Sequence, residues 1–541
     1  MSGFSIAERR STRRLGASRA ALFLVVAAVL LVVAAGVPTA FAAERAKTLV
    51  VAASAEPDTL DPAIAYAVGD VKFIRGAYEK LVAYQGGTTE VDPQLAVSWS
   101  ASPDGKEWTF NLRKNVKFAD GTPFNADAVK FTYERLLKID KGPAWMFTNI
   151  GEIKVIDPYT VKFILKRADA SFLYVMANLS GTGIVNPKAV KEHDVNGDLG
   201  QAWLKEHTAG TGAYQLTNWV HGQKLEMAKN PNYWGGWKGQ HLDGMLVRIV
   251  QEPATQRMLL ESGEVDIANG IGMDDIPIVA KEPGISLISK PSFGMQTIFL
   301  NVTHKPLDNE KVRQAIARAI DYDQVVKYIY NGAASQAQGP IPKGLWGHDD
   351  KLPMFKRDVA QAKKLLAEAG YGDGFAVSFF YGAGSAERRK VAELVQANLK
   401  DIGITVKLTE LQGNTIIDME KKPDTGPDMS MWGWWPDYAD PGNYLLPQWR
   451  SDQTPDTGNF NHGWYKNPEF DKVIDQALTT TDHAKRVALY AKAQRIIADD
   501  VPAIPLIQTV YRFLMRDWVK GYVYNPMYEE SYDLYNMYIK R

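Results

Sequence analysis

Residues 431–444 read Met431-Trp432-Gly433-Trp434-Trp435-Pro436-Asp437-Tyr438-Ala439-Asp440-Pro441-Gly442-Asn443-Tyr444, a run dense in aromatic rings and carrying two carboxylates. Gly433, Pro436, Pro441 and Gly442 interrupt it, so the whole run is expected to be a loop. Aromatic side chains in a loop are unfavourable in water unless they cover something or bind something. Either the tryptophans plug the loop onto its own domain, or they frame a ligand. In the second case an ammonium group on the ligand meets the Asp437 carboxylate through charge-assisted hydrogen bonds and the ring faces through cation–π contact. The candidate ligand-binding residues are therefore Asp437, Trp434, Trp435, Tyr438 and Trp432. The pair Asp437 and Asp440, like Asp274 and Asp275, also leaves open a secreted hydrolase of peptides or glycosides. That chemistry needs two carboxylates held at a set distance with unequal pKa values, which spacing along the chain does not show.

Other chemistry is sparse. The histidines at 193, 207, 221, 241, 304, 348, 462 and 483 never fall at the i, i+3 or i, i+4 spacing that sets two metal ligands on one helix face, and no HExxH pattern occurs. There is no cysteine, which excludes disulfides, thiolate metal sites and a lipid-modified cysteine. Neither a GxSxG elbow nor a GxxxxGK[ST] loop is present, and Gly382-Ala383-Gly384 lacks the third glycine of a dinucleotide fingerprint and reads as a turn. No metal and no cofactor are expected.

The elements that must position the aromatic run alternate short β-rich stretches with amphipathic helices, the signature of an α/β protein. Residues 48–52 read as a strand, and 56–62 as a turn-rich loop. Trp108-Thr109-Phe110-Asn111-Leu112 and Val161-Lys162-Phe163-Ile164-Leu165 alternate as half-buried strands do, and between them Asn125 is placed to cap a helix carrying Ala128, Phe131 and Leu136 toward a core. From 357 to 411 the pattern is helix, strand, helix, strand. Asp358 is the first N-cap and Gly370 the stop, residues 376–381 form a strand, Val391, Leu394, Val395 and Leu399 line a second helix, and residues 404–408 form another strand. That order implies a parallel or mixed sheet covered by helices, and ligands bind such sheets near the strand ends.

The N-terminus reads as an export signal. Arg9, Arg10, Arg13, Arg14 and Arg19 precede an uncharged apolar run over 20–37, and Ala40-Phe41-Ala42 is a cleavage site. Cleavage after Ala42 gives a soluble protein retained in a periplasm; a retained leader would instead anchor the chain. The remaining roughly 500 residues exceed one core, so two or three domains are expected. The 62 basic and 62 acidic side chains include five Arg and one Glu in the leader, which leaves the rest near −4 and gives no hint of nucleic acid.

Six segments, in order, resemble the family 5 extracellular solute-binding proteins, the peptide, opine, sugar and nickel binders of ABC importers. They are Leu95-Ala96-Val97-Ser98-Trp99 with Trp108-Thr109-Phe110; Phe118-Ala119-Asp120-Gly121-Thr122-Pro123-Phe124; Gly210-Thr211-Gly212-Ala213-Tyr214 leading to Asn230-Pro231-Asn232-Tyr233-Trp234; Leu300-Asn301; Val312-Arg313-Gln314-Ala315-Ile316; and Ala362-Lys363-Lys364-Leu365-Leu366. The resemblance implies a two-lobed, periplasmic-binding-protein-like α/β fold of type II, in the large three-subdomain class, with two hinge crossovers. It implies lobe I over 43–297 with an inserted subdomain at about 91–208, lobe II over 298–507, and a return to lobe I over 508–541. It implies capture of a short peptide by a monomer that delivers it to permease subunits in the cytoplasmic membrane, with an oligosaccharide or opine-like conjugate as the alternative ligand. In oligopeptide-binding members an aspartate in GW-x-x-D-Y-x-x-P holds the peptide's α-ammonium group, and residues 433–441 match that pattern with Asp437 at the aspartate. Dipeptide-type members carry an arginine just before the helix matching residues 387–396; residues 379–385 contain none, which puts a dipeptide clamp in doubt.

Overall fold

The computed structural model describes residues 47–529 and 531–541, so the expected leader lies outside the described residues. Its backbone is organised by two long strands, Ile285–Leu300 and Ala503–Arg516, which run antiparallel through the middle of an eleven-stranded mixed sheet. On one side the sheet continues through Ile267–Ala268, Thr48–Ala53, Gly244–Ile249, Lys224–Lys229 and Tyr214–Val220; on the other it continues through Met429–Trp434, Phe375–Gly382 and Ile404–Leu411. Each side carries its own apolar core, and the long strands are the two connections between the lobes. Thr48–Ala53 is almost wholly apolar because it lies centrally, parallel to both Gly244–Ile249 and Ile267–Ala268.

The segment at 357–411 forms as its periodicity predicts. Asp358 accepts a hydrogen bond from the Gln361 backbone at 2.9 Å and starts helix Val359–Glu368, and Gly370 follows its end at φ +84°. Strands Phe375–Gly382 and Ile404–Leu411 pair in parallel along their whole length, with helix Ala386–Lys400 as the crossover. Gly382-Ala383-Gly384 is the turn before the Ser385 cap of that helix.

A separate four-stranded antiparallel sheet, Ala96–Ala101, Glu107–Leu112, Thr160–Leu165 and Ile150–Asp157, forms the inserted unit. Helix Ala126–Ile139 covers it, capped by Asn125, with Ala128 and Leu136 buried and Phe131 half-buried. Tyr133 and Phe110 meet Phe163 edge-on at 5.2 and 5.8 Å, supplying much of this unit's core.

This inserted unit and the adjoining first lobe touch the second lobe. The Ala170 amide donates to Leu478 O at 3.0 Å, the Ala439 amide donates to Tyr84 Oη at 2.9 Å, and Tyr174 stacks on Trp346 at 5.6 Å. One contiguous set of buried side chains runs from the insert through Tyr444 and Trp449 into helices Pro468–Thr479 and His483–Asp500.

The aromatic run is not loop throughout. Met431 to Trp434 complete strand Met429–Trp434, and helix Gly442–Trp449 begins within the segment; only the turn between them is irregular. The strand persists because Trp434, Trp432 and Met431 pair with Met295, Thr297 and Ile298 of the long crossover strand, which supplies hydrogen bonds that the glycine does not prevent. A Cβ on Gly433 would stand 2.8 Å from the Trp435 ring, so a larger residue there would displace that indole.

Candidate functional site

The long strands lose register where they cross between lobes, between Pro291 and Met295. Backbone groups released by that break find side-chain partners. Gln508 Nε2 donates to Ser292 O at 2.7 Å, Tyr444 Oη to Phe293 O at 2.6 Å, and Thr509 Oγ1 to Gly294 O at 3.2 Å. A Cβ on Gly294 would lie 2.5 Å from both Thr509 Oγ1 and Trp435 Nε1, so this glycine lets the indole settle onto the crossover.

Against this crossover opens a cavity of about 720 Å³, within the size range of small-ligand sites. The first lobe contributes Leu179, Ile276 and Met527, the crossover Val510 and Arg512, and the second lobe Trp435 and Pro436. Among the expected residues Trp435 therefore lines the cavity, with 52 % of its surface exposed.

Asp437 follows at the next turn. The Tyr66 hydroxyl, from the opposite lobe, donates to its Oδ1, and Asn443 Nδ2 donates to Oδ2 at 3.2 Å. Asn443 is itself buried and accepts the Asp437 amide at 3.0 Å, which fixes the turn. Burial raises the Asp437 pKa above the ordinary carboxylate value, while the Tyr66 and Asn443 hydrogen bonds pull it back down. The Tyr66 phenol is pushed up by burial and by the Asp437 charge, and Trp145 is within hydrogen-bonding reach of its oxygen. Tyr66 and Trp145 still expose 44 % and 49 % of their surfaces.

The other expected residues serve their own lobe. Trp432 donates to Glu420 Oε1 at 3.2 Å and stacks on His462 at 4.6 Å, and Glu420 in turn hydrogen-bonds His462 at 2.6 Å. Trp434 donates to Asn443 Oδ1 at 3.3 Å and meets Phe460 edge-on at 5.0 Å. Tyr438 is half-buried against the core joining insert and second lobe, and burial raises its phenol pKa. The run divides accordingly: Trp432 and Trp434 hold the loop to its domain, and Trp435 and Asp437 remain at the cleft. Asp440 cannot act with Asp437 as an acid/base pair, because it is 0 % exposed and bound to Arg486 at 2.6 Å and Tyr490 at 2.8 Å. No group of three His, Cys, Asp or Glu among the described residues is arranged to hold a metal ion.

Sequence reading missed Tyr66, Trp145 and Arg512. Tyr66 stands four residues after the turn-rich loop at 56–62, and a tyrosine so close to that loop is the signal that was available. Arg512 is a lone cation within an otherwise apolar stretch, Val510-Tyr511-Arg512-Phe513-Leu514.

Residues 90–456 match the family model for the middle region of bacterial extracellular solute-binding proteins, family 5. The chain is 37% identical over 511 residues to the "Probable D,D-dipeptide-binding periplasmic protein DdpA" of Escherichia coli (strain K12), covering 94% of this chain and 97% of that protein. Its fold matches HbpA2 from Haemophilus parasuis with a TM-score of 0.84 at 27% identity, over 91% of this chain and 100% of that one. It also matches the periplasmic binding protein DppA from Helicobacter pylori in complex with the peptide STSA, with a TM-score of 0.73 at 29% identity, over 91% of this chain and 98% of that one.

Proposed function

The chain belongs to the bacterial extracellular solute-binding proteins of family 5, and on that premise we propose that it captures a short peptide between its lobes, with Asp437 receiving the peptide's ammonium group. As a member it is a periplasmic binding component of an ABC importer, handing its ligand to permease subunits, and not an enzyme. The observation that carries the peptide reading is the state of Asp437: a carboxylate with raised pKa next to the cavity-lining Pro436, held by neutral donors and forming no ion pair among the described residues. A desolvated carboxylate is completed by a cationic ligand group, and a peptide supplies one at its N-terminus. The D,D-dipeptide named for the Escherichia coli relative and the peptide held by the Helicobacter pylori protein support the same class of ligand.

On this reading residues 43–297, with the insert at about 91–208, form lobe I, 298–507 form lobe II, and 508–541 return to lobe I; both proposed divisions fall inside the long strands Ile285–Leu300 and Ala503–Arg516, which supports them. The protein acts as a monomer, and its leader is removed after Ala42. Ligand that contacts both lobes favours the closed state, because only differential affinity shifts that equilibrium.

The test is mass spectrometry of small molecules released on denaturing protein purified from its native envelope, followed by titration of the recovered ligand in free and N-acetylated form. Peptides are expected, with N-acetylation weakening binding strongly. Recovery of a neutral sugar, or equal binding of the two forms, overturns the amine-anchor reading.

A further inference from the structure

Arg512 is the one cationic side chain lining the interlobe cavity, and Glu529 the one carboxylate, among the described residues. Tyr524 donates to Glu529 Oε1 at 2.7 Å. Arg512 has a different environment: its Nη2 donates to Gly332 O at 2.6 Å and its Nη1 lies 3.4 Å from Asn331 O. Its Nε is buried without a hydrogen-bond acceptor. These carbonyls fix the plane of the guanidinium but carry no charge, and no carboxylate among the described residues lies within 4.0 Å of it, whereas Arg135 and Arg486 each hold a buried aspartate at 2.5 and 2.6 Å. The cation is thus oriented at the wall of the cavity and forms no ion pair within 4.0 Å among the described residues.

Its position along the crossover adds a length. Thr509 marks the spot where Trp435 settles on Gly294, and Arg512 stands three residues further along the same strand, roughly 10 Å at a strand's rise per residue. Asp437 follows Trp435 by two residues in the second lobe. An extended peptide covers about 3.3 to 3.6 Å per residue, so the stretch from Thr509 to Arg512 matches about three residues of an extended ligand.

We propose that Arg512 receives the ligand's terminal carboxylate, so that the cavity wall reads the anionic end of a peptide whose ammonium group is received by Asp437. The proposal rests on the peptide reading above and adds a specificity residue on the crossover itself. It gives the anionic end a partner in a chain whose residues 379–385 contain no arginine. A guanidinium fork matches a carboxylate through two parallel N–H···O bonds, which an ammonium group cannot reproduce.

The experiment uses the mature protein and a pool of Ala-Xaa-Ala tripeptides, offered as free peptides, C-terminal amides and N-acetyl derivatives, with binding read by native mass spectrometry and calorimetry. C-terminal amidation is expected to weaken wild type at least tenfold. In Arg512→Gln the free and amidated peptides should bind alike, while the penalty for N-acetylation persists; Arg512→Lys should lie between. The amidation arm needs only wild type, so an unstable variant does not remove the test. Equal binding of free and amidated peptides by wild type overturns the role of Arg512 and leaves Asp437 untouched. Loss on amidation with none on acetylation overturns Asp437 and leaves Arg512. Failure of all three pools to bind wild type overturns both.

Discussion

Asp440 and Asp437 stand three residues apart on the two halves of one turn, and their surroundings differ in the respect that matters most for a carboxylate. Asp440 is sealed from solvent and receives Arg486 Nη2 at 2.6 Å, the Tyr490 hydroxyl at 2.8 Å and the Gly442 amide at 2.8 Å. Arg486 in turn lies over the Trp346 ring at 5.0 Å and reaches Ala170 O of the inserted unit at 3.4 Å. Asp437 has two side-chain donors, both neutral, and one of them comes from across the cleft. A buried carboxylate with its cation built in is architecture; a half-buried one without a cation is available to a ligand that brings one.

Breaking the Asp440 end should give the largest effect. Asp440→Asn leaves Arg486 buried without its counter-charge, which costs roughly 3 to 5 kcal/mol of stability. Thermal and denaturant unfolding should both register the loss, while the protein that remains folded at 25 °C keeps its ligand affinity. A variant as stable as wild type would show that Arg486 finds another partner and that Asp440 is not the structural member of the pair.

Breaking the Asp437 end should leave stability nearly alone and remove binding. Asp437→Asn keeps the shape and deletes the charge, so the unliganded melting temperature should be unchanged while affinity for the native ligand falls by roughly 2 to 5 kcal/mol. Titration calorimetry that finds wild-type affinity in the variant would reverse the assignment of the two aspartates.

A third carboxylate separates burial from charge pairing. Glu79 is buried like Asp440, yet its hydrogen-bond donors are neutral, as at Asp437: Trp234 Nε1 at 2.8 Å, Thr211 Oγ1 at 2.8 Å and Tyr233 Oη at 3.4 Å. Burial pushes its pKa up to about 7 against those hydrogen bonds and the Arg113 charge. Between its unfolded value near 4.5 and about 7 the folded protein keeps a proton that the unfolded chain releases. The contribution is therefore complete below the lower value and lost as pH rises through the upper one, roughly 3 kcal/mol in all. Unfolding free energy measured from pH 4.5 to 8 should carry this falling component, and Glu79→Gln should flatten it. An unaltered pH dependence in the variant would mean that neutral donors suffice to keep a buried carboxylate ionised here.

Local pattern reached the elements whose causes are local. Asp358, Asn125, Gly370 and the paired strands near 375–411 each depend on residues within a few positions, and all were legible. The strand at Met429–Trp434 was not, because its partners are Met295 to Leu300 on a segment far away in sequence, and pairing overrode the glycine signal. Asp437 could be singled out by its neighbours in the motif, but the fates of Trp432, Trp434 and Trp435 depend on Glu420, Asn443 and Gly294, which no spacing rule brings together. Tyr66 and Arg512 enter the site only because the lobes close and the crossover strand passes the cavity.

The finest test of the comparison removes one atom from the Asp437 end. Tyr66→Phe deletes the hydroxyl that joins the first lobe to Asp437 and leaves Asn443 as the remaining side-chain donor. An ionised carboxylate offers about four lone-pair directions over its two oxygens, so the ammonium group and the Tyr66 hydroxyl can share it. Tyr66 then supports closure and does not compete with ligand. Losing one such hydrogen bond costs about 0.5 to 1.5 kcal/mol, which falls on the closed state and lowers ligand affinity by roughly two- to tenfold. Small-angle scattering of the unliganded variant should show a more open particle. The pH dependence moves as well. Binding requires ionised Asp437, whose pKa is raised by burial and held down in part by the Tyr66 hydroxyl. Affinity in wild type should therefore fall on acidification at a pH above the ordinary carboxylate value, and in Tyr66→Phe at a higher pH still. Tighter binding by the variant would make Tyr66 a competitor that ligand must displace, and Asp437 would then resemble Asp440 more than its neutral partners suggest.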